Sequence, residues 1–376
     1  MPVARVQLSG QTGEIEQKVR NRFTVKKFFA LPEGELEFEV AHDEGTKGNF
    51  SALSAELEPL GYRPELSGSK EECILVVRRT VPTNSSPSRI TAILALFALV
   101  SIVVFGIAEA VNYEQFAPSV QPDFVLVSFS VGAALLVGSH EAGQRLMARR
   151  RRAGHANSYL LPWLPFLPPA PTLGFGATQR EPAMNRDALF DTVIAGPLFL
   201  LALAIVIYAI GDITSVQSSL LYQWAHNGNA SRLTNENALQ AGLDLLLGPA
   251  LPKAVAGALP VSPLADASTV GFILVFIGLL PMAFFDGGFL SAAAWTPKLA
   301  RVGSYVSVLV LMVLDTPNYW GLAVLVLLFA GRPFQLKLLD EVSELSQKRK
   351  LAYLGAIVLA FLCLPFPHNI GTLPLP

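Results

Sequence analysis

A succession of apolar segments follows residue 89, and a lipid bilayer is the solvent that such segments require. A helix needs about 20 apolar residues to cross the hydrocarbon core. Segments near that length lie at 91–112, 123–147, 187–211 and 270–296, and shorter ones at 300–314, 318–331 and 350–366. Since 52% of the residues are hydrophobic and 15% are charged, we expect a polytopic α-helical membrane protein with about seven spans.

The first 80 residues have the composition of a soluble domain. The stretches ELEFEVA at 35–41 and CILVVRR at 73–79 are predicted strands. Between them, NFSALSAELEPLGY has the spacing of a helix that stops at Gly61. We therefore expect a small α+β soluble domain at 1–80, a linker at 81–90, a transmembrane domain at 91–366 and a tail at 367–376.

Basic residues gather at alternate ends of the predicted spans. The run 149–152 is four arginines, whereas the loops 113–122 and 212–269 contain only Arg232 and Lys253. Because short cytoplasmic loops are enriched in Lys and Arg, we expect a cell-membrane protein with a cytoplasmic N-terminal domain. The first 17 residues lack the apolar region of a signal peptide, so an internal segment is expected to begin insertion.

Net charge and cysteine content narrow the possible functions. The formal net charge of −1 provides no basis for binding nucleic acid. The two cysteines, Cys73 and Cys363, lie in regions of different character, which argues against a disulfide framework and against a cysteine metal site.

The stretch SYLLPWLPFLPPAPTLGFGATQR at 158–180 is apolar but contains five prolines. Proline cannot sit inside an uninterrupted membrane helix, and irregular backbone at membrane depth must be buried in protein or line a wet cavity. We expect a re-entrant element beside a functional site. The alternative is a loop that lies on the bilayer surface.

Two ionisable residues, His140 and Glu141, lie within the second predicted span. Burying such groups in lipid costs about 2.5 kcal/mol or more, so they are candidates for function. The alternative is a helix that ends at the cytoplasmic interface, with Glu141 paired to Arg145 and His140 extended toward water.

A second candidate is Asp286 in LLPMAFFDGGF at 279–289, where it precedes Gly287 and Gly288. An acid followed by two glycines suggests an opened helix, which would bring the backbone close to a site and free the carboxylate to reach a metal. The alternative is an aspartate that caps a helix beginning at the glycines.

The stretches HEAGQ at 140–144, LGFGATQREPAMNRDALFDTVIAGPL at 173–198 and LLPMAFFDGG at 279–288 together resemble the site-2 protease family of intramembrane zinc metalloproteases, peptidase family M50. The likeness is strongest to its archaeal, cyanobacterial and plastid branch, and it extends over about 90–366. The resemblance implies regulated cleavage of membrane-anchored proteins. It assigns His140 and Asp286 as zinc ligands and Glu141 as the general base and acid. It also implies that helix packing near the site involves Asn185, Arg186, Asp191, Gly196 and Pro197.

The sequence departs from the family pattern at three positions: Gln144 replaces the second histidine ligand, Gly278 an asparagine and Phe289 a histidine. A catalytic zinc usually has three protein ligands from His, Cys, Asp or Glu, whereas an amide oxygen suits calcium or magnesium. Gln144 is therefore a doubtful third ligand. None of the other histidines, at positions 42, 155, 226 and 368, has helical spacing from His140.

Two main functions fit these residues. An active endopeptidase would bind zinc at His140 and Asp286, with Gln144 or water completing the shell, and would cut a transmembrane protein substrate. A catalytically inactive pseudoprotease would keep the groove and bind a transmembrane client without metal.

A third function, an ion transporter, would use Glu141 and Asp286 to line an ion path. That class requires further polar residues facing one cavity. Outside the two motifs only Asp191 and Glu109 are candidates, and both lie near predicted span ends.

Overall fold

The computed structural model describes residues 10–31, 34–80, 89–151, 156–162, 172–179, 181–224, 237–248, 258–314, 320–330 and 336–364. Most of the predicted linker at 81–90, the predicted tail at 367–376 and three histidines, His155, His226 and His368, lie outside these residues.

The N-terminal part folds as an antiparallel sheet with two helices. Its strands pair in the order β1-β2-β4-β3. The elements are α1 (Gly10–Arg22), β1 (Val25–Ala30), β2 (Leu36–Val40), α2 (Thr46–Leu57), β3 (Tyr62–Gly68) and β4 (Cys73–Arg79). Alternate residues of β2 are buried, as the sequence pattern predicts. A 3-10 turn follows α2 and ends at Gly61, which has a left-handed φ of 75°.

Three helices are long and apolar enough to cross a membrane among the described residues. They are α3 (Arg89–Phe116), α4 (Pro122–Arg151) and α5 (Arg186–Ile213). Between α4 and α5 lies a hairpin of β5 (Ala156–Pro162) and β6 (Thr172–Gln179). Helix α5 is the most enclosed of the three, since it packs against α4 and against the helices Pro263–Leu279 and Asp286–Ala294. The predicted number of about seven spans is not shown.

The predicted span at 270–296 is wrong, because it is divided between two helices. Helix α8 (Pro263–Leu279) is followed by an interruption at 280–285, and α9 (Asp286–Ala294) begins after it. The residue before a proline is disfavoured in helical conformation, and Leu280, which precedes Pro281, is extended with ψ 139°. Phe284 has a left-handed φ of 62°. The interruption therefore has a local cause.

The remaining elements are shorter. A small antiparallel pair joins β7 (Val216–Ser218) to β8 (Leu259–Val261). The helices are α6 (Ser219–Trp224), α7 (Ala238–Leu247), α10 (Pro297–Leu314), α11 (Trp320–Ala330) and α12 (Gln347–Leu362). The last three cover most of the predicted segments at 300–314, 318–331 and 350–366.

Residues 336–346 connect the N-terminal sheet to the helical part. The Leu66 N–H donates to the Leu339 carbonyl at 2.6 Å, and the Glu341 N–H donates to the Leu66 carbonyl at 3.0 Å. On the other side of this segment, the Lys337 carbonyl accepts a hydrogen bond from the Ala183 N–H at 3.0 Å. The soluble part is thereby tied to the residues that lead into α5.

Candidate functional site

Helix α4 directs His140 and Gln144 to one face, because residues four apart lie about one turn apart on a helix. This face is turned inward, and the two residues are 1% and 2% exposed. The expectation that His140 extends toward water is therefore wrong. In the described part of the chain, the buried face meets α5, α8, α9 and the β5–β6 hairpin.

The Asp286 carboxylate joins both side chains. Its Oδ2 lies 2.7 Å from His140 Nε2, and its Oδ1 accepts from Gln144 Nε2 at 2.9 Å. An ionised carboxylate only accepts hydrogen bonds, so with Asp286 ionised the shared hydrogen belongs to His140 Nε2. The Gln144 amide must present its nitrogen, since its oxygen would face another oxygen. We call these three residues the polar triad.

Asp286 is the first residue of α9, and no side chain caps this helix at Phe285. A helix begins at Asp286, as in the capping interpretation. The Asp286 carboxylate, however, bonds to His140 and Gln144 and does not cap the helix. The glycines after it permit close backbone contact. A Cβ on Gly287 would lie 2.0 Å from the Leu280 carbonyl oxygen, and one on Gly288 would lie 2.2 Å from that of Met282.

Gly196 brings α5 against the polar triad. A Cβ at this position would lie 2.6 Å from His140 Nε2 and 2.9 Å from Gln144 Cγ. Contacts under 3 Å at a buried helix crossing require either the helices or the His140 and Gln144 side chains to shift. The glycine of the AGP sequence therefore sets how closely α5 approaches α4.

The β5–β6 hairpin covers the polar triad from another side. The Phe175 ring stacks on the His140 ring with centroids 3.6 Å apart and an interplanar angle of 6°. Gly176 forms an isolated β-bridge with Phe285, the residue before Asp286. Paired strands thus occupy the ends of the stretch 158–180, where an irregular re-entrant element was expected, and its middle lies outside the described residues. Sequence reasoning missed Phe175, and only the FGA stretch within the resemblance pointed to it.

Glu141 does not join the polar triad. It lies about 100° around α4 from His140, and its carboxylate accepts from Arg145 Nε at 2.7 Å with its side chain 30% exposed. The Glu141–Arg145 ion pair, which was expected if α4 ends at the cytoplasmic interface, is therefore present.

Three other positions of the resemblance make contacts at helix ends and between helices. The Asn185 side chain caps α5 by accepting from the Ala188 N–H at 2.9 Å. Arg186 donates to carbonyls at the end of α9, including that of Ala292 at 3.3 Å. Asp191 pairs with Arg349 at 2.6 Å. These contacts are of the helix-packing kind that the resemblance implies.

Two departures from the family pattern border the polar triad or lie close to it in sequence. A Cβ on Gly278 would lie 4.0 Å from Asp286 Oδ2, so a longer side chain there would point at the carboxylate. Phe289 is 7% exposed and belongs to the apolar core. Neither position supplies a metal donor.

The polar triad lacks one of the ligands that a catalytic zinc usually has. Such an ion usually has three protein ligands from His, Cys, Asp or Glu, whereas the triad offers one imidazole and one carboxylate, joined at 2.7 Å, with an amide in place of a second histidine. Among the described residues, Oε1 of the Gln144 amide has no hydrogen-bond partner, and Nε2 of the same amide donates to Asp286 Oδ1 at 2.9 Å. No three His, Cys, Asp or Glu side chains among the described residues form a group that could hold a metal.

Comparison with curated proteins finds the probable zinc metalloprotease EGY3, chloroplastic, of rice, in Oryza sativa subsp. indica and subsp. japonica. Each is 26% identical over 286 residues, which is 71% of this chain and 45% of the relative. The chain thus spans less than half the length of the curated relatives it matches. No protein-family model matches the chain. No solved structure matches it either.

Proposed function

We propose that this chain is a membrane protein of the site-2 protease type that binds transmembrane segments of other proteins without zinc-dependent hydrolysis. The similarity to a probable zinc metalloprotease supports the protease-like scaffold. The observation that carries the loss of hydrolysis is the polar triad. It contains one imidazole and one carboxylate, and Gln144 stands where a second histidine ligand is expected, with its amide nitrogen donating to Asp286 Oδ1.

The chemistry of the triad supports the same conclusion. Peptide hydrolysis at a zinc site depends on a bound water whose pKa is lowered to near 7. Glu141 alone would face unactivated water, and it is engaged by Arg145. The two hydrogen bonds of the triad instead join α4 to the start of α9, with the β5–β6 hairpin and the interruption at 280–285 beside them.

The second candidate is an active zinc endopeptidase, with His140 and Asp286 as ligands and Glu141 as the base. The name of the rice relatives and the retention of these three residues favour it. It requires the His140–Asp286 hydrogen bond to open and a further donor to enter.

The membrane proposed for this protein is the cell membrane, with the N-terminal domain in the cytoplasm. Three apolar helices of spanning length support a membrane location. The arginines at the end of α4 support the orientation, since basic residues favour the cytoplasmic side.

Metal content per chain tests the proposal. Purified full-length protein is exposed to zinc, washed with a mild chelator and measured by elemental analysis beside Gln144→His. We expect little zinc in the native chain and about one zinc per chain in Gln144→His, because two histidines on one face of α4 and Asp286 of α9 then make a three-ligand set.

A double variant, His140→Ala with Gln144→His, is the matched control and should lose the gained zinc. About one zinc per native chain, lost in His140→Ala alone, would refute the metal-free proposal and favour the endopeptidase.

A further inference from the structure

A cavity of about 600 Å³ lies where the N-terminal domain meets the helical part. Helix α2 contributes Lys47, the end of α4 contributes Arg150 and Arg151, and the start of α12 contributes Arg349. The cavity is separate from the polar triad, none of whose residues lines it.

The cationic residues are only partly neutralised. Lys47 pairs with Asp187 at 2.8 Å, and Arg151 pairs with Asp191 at 2.6 Å. Arg349 shares both of these acids, at 2.9 Å and 2.6 Å. Three cations therefore share two carboxylates, which leaves one positive charge in excess.

Arg150 adds a further charge. It is exposed, and it makes no hydrogen bond or ion pair with any residue that the structure describes. Glu58 is the other acid in the lining and offsets one charge. The cavity keeps a positive balance, with one guanidinium that is not committed to a carboxylate.

Helix α5 strengthens the attraction for anions. It has 28 residues and begins at the cavity, where Asn185 and Asp187 form part of the lining. The N-terminus of a helix carries about half a positive charge. The arginine side chains and the helix end thus act on the same space.

We propose that this cavity binds the phosphate group of an anionic ligand and thereby links the N-terminal domain to the helical part. Arginine is suited to phosphate because its guanidinium donates two parallel hydrogen bonds. The same chemistry is offered by a phospholipid headgroup and by a soluble phosphate. The headgroup is favoured by position, since the cavity adjoins the end of α4, a helix of spanning length, and basic pockets there bind anionic lipids.

Native mass spectrometry of the full chain in detergent tests the proposal. The probes are phosphatidylglycerol, phosphatidylcholine with the same acyl chains, and inorganic phosphate. The variant is Arg150→Gln, and the matched control is Arg149→Gln, which removes a neighbouring exposed arginine that does not line the cavity.

We expect one phosphatidylglycerol retained in preference to phosphatidylcholine, and a loss of roughly fivefold in affinity for Arg150→Gln. Arg149→Gln should change the affinity less than about twofold. Retention of inorganic phosphate that Arg150→Gln abolishes would assign the same site to a soluble ligand. Equal losses in both variants, no loss in either, or no preference for an anionic ligand would overturn the proposal.

Discussion

Replacing Asp286 by asparagine or by alanine separates two explanations of the polar triad. If hydrogen bonds alone hold the triad, asparagine can keep both. Its Oδ1 accepts from Gln144 Nε2, and its Nδ2 donates to His140 Nε2 once the ring proton moves to Nδ1. Alanine keeps neither bond and leaves two buried donors unsatisfied.

The expected magnitudes follow from the burial of all three side chains, which are at most 2% exposed. Hydrogen bonds to a charged group contribute about 1.5–3 kcal/mol and neutral ones about 0.5–1.5 kcal/mol. Asparagine should therefore reduce the free energy of unfolding by about 2 kcal/mol. Alanine should reduce it by about 3–5 kcal/mol, as when one partner of a buried pair is removed. Both variants lose the charge at the start of α9, so that contribution cancels in the comparison.

The assay is thermal unfolding of the detergent-purified chain, followed by a fluorophore that reacts with thiols. Cys73 and Cys363 are both buried, so the signal reports loss of native packing. The alanine variant should lower the Tm about twice as far as the asparagine variant. Equal losses would refute the reasoning, because they would mean that the triad depends on a negative charge, as a bound cation would require.

The remaining predictions concern packing and thiol reactivity. Gly196→Ala should reduce stability by about 1–3 kcal/mol, because its Cβ would lie 2.6 Å from His140 Nε2. Its control is Gly138→Ala, where a Cβ meets nothing within 4 Å, and equal Tm values for the two would contradict the packing argument. In a Cys363→Ser background, Cys73 should resist alkylation at pH 8 until the protein unfolds, since burial and the nearby negative charge of Asp340 raise its pKa to about 11. The free energy of unfolding should fall as pH rises from about 9 to about 11, because in this range the Cys73 thiol ionises only in the unfolded chain. Rapid alkylation of Cys73 in the native protein at pH 8, measured by mass spectrometry, would contradict the raised pKa.

Much of the local structure could be predicted from the sequence. The strands at 36–40 and 73–79 and the helix that ends before Gly61 follow from residue periodicity. The helical positions of His140 and Gln144 follow from their spacing, since four residues make about one turn. A break near Asp286 was also indicated, because the two glycines after it suggested an opened helix and Pro281 disfavours helix at Leu280.

The sequence by itself determined that the chain has long apolar helices, a mixed N-terminal domain and polar residues at His140, Gln144 and Asp286. Only the tertiary structure decided that Asp286 contacts both α4 side chains directly and that Phe175 covers the His140 ring. The physical reason is that periodicity assigns residues to faces of an element within a few turns. Which faces meet, and at what distance, depends on packing between elements far apart in the chain. Examples are the contact of α4 with Asp286 of α9 and the contact of α4 with Gly196 of α5.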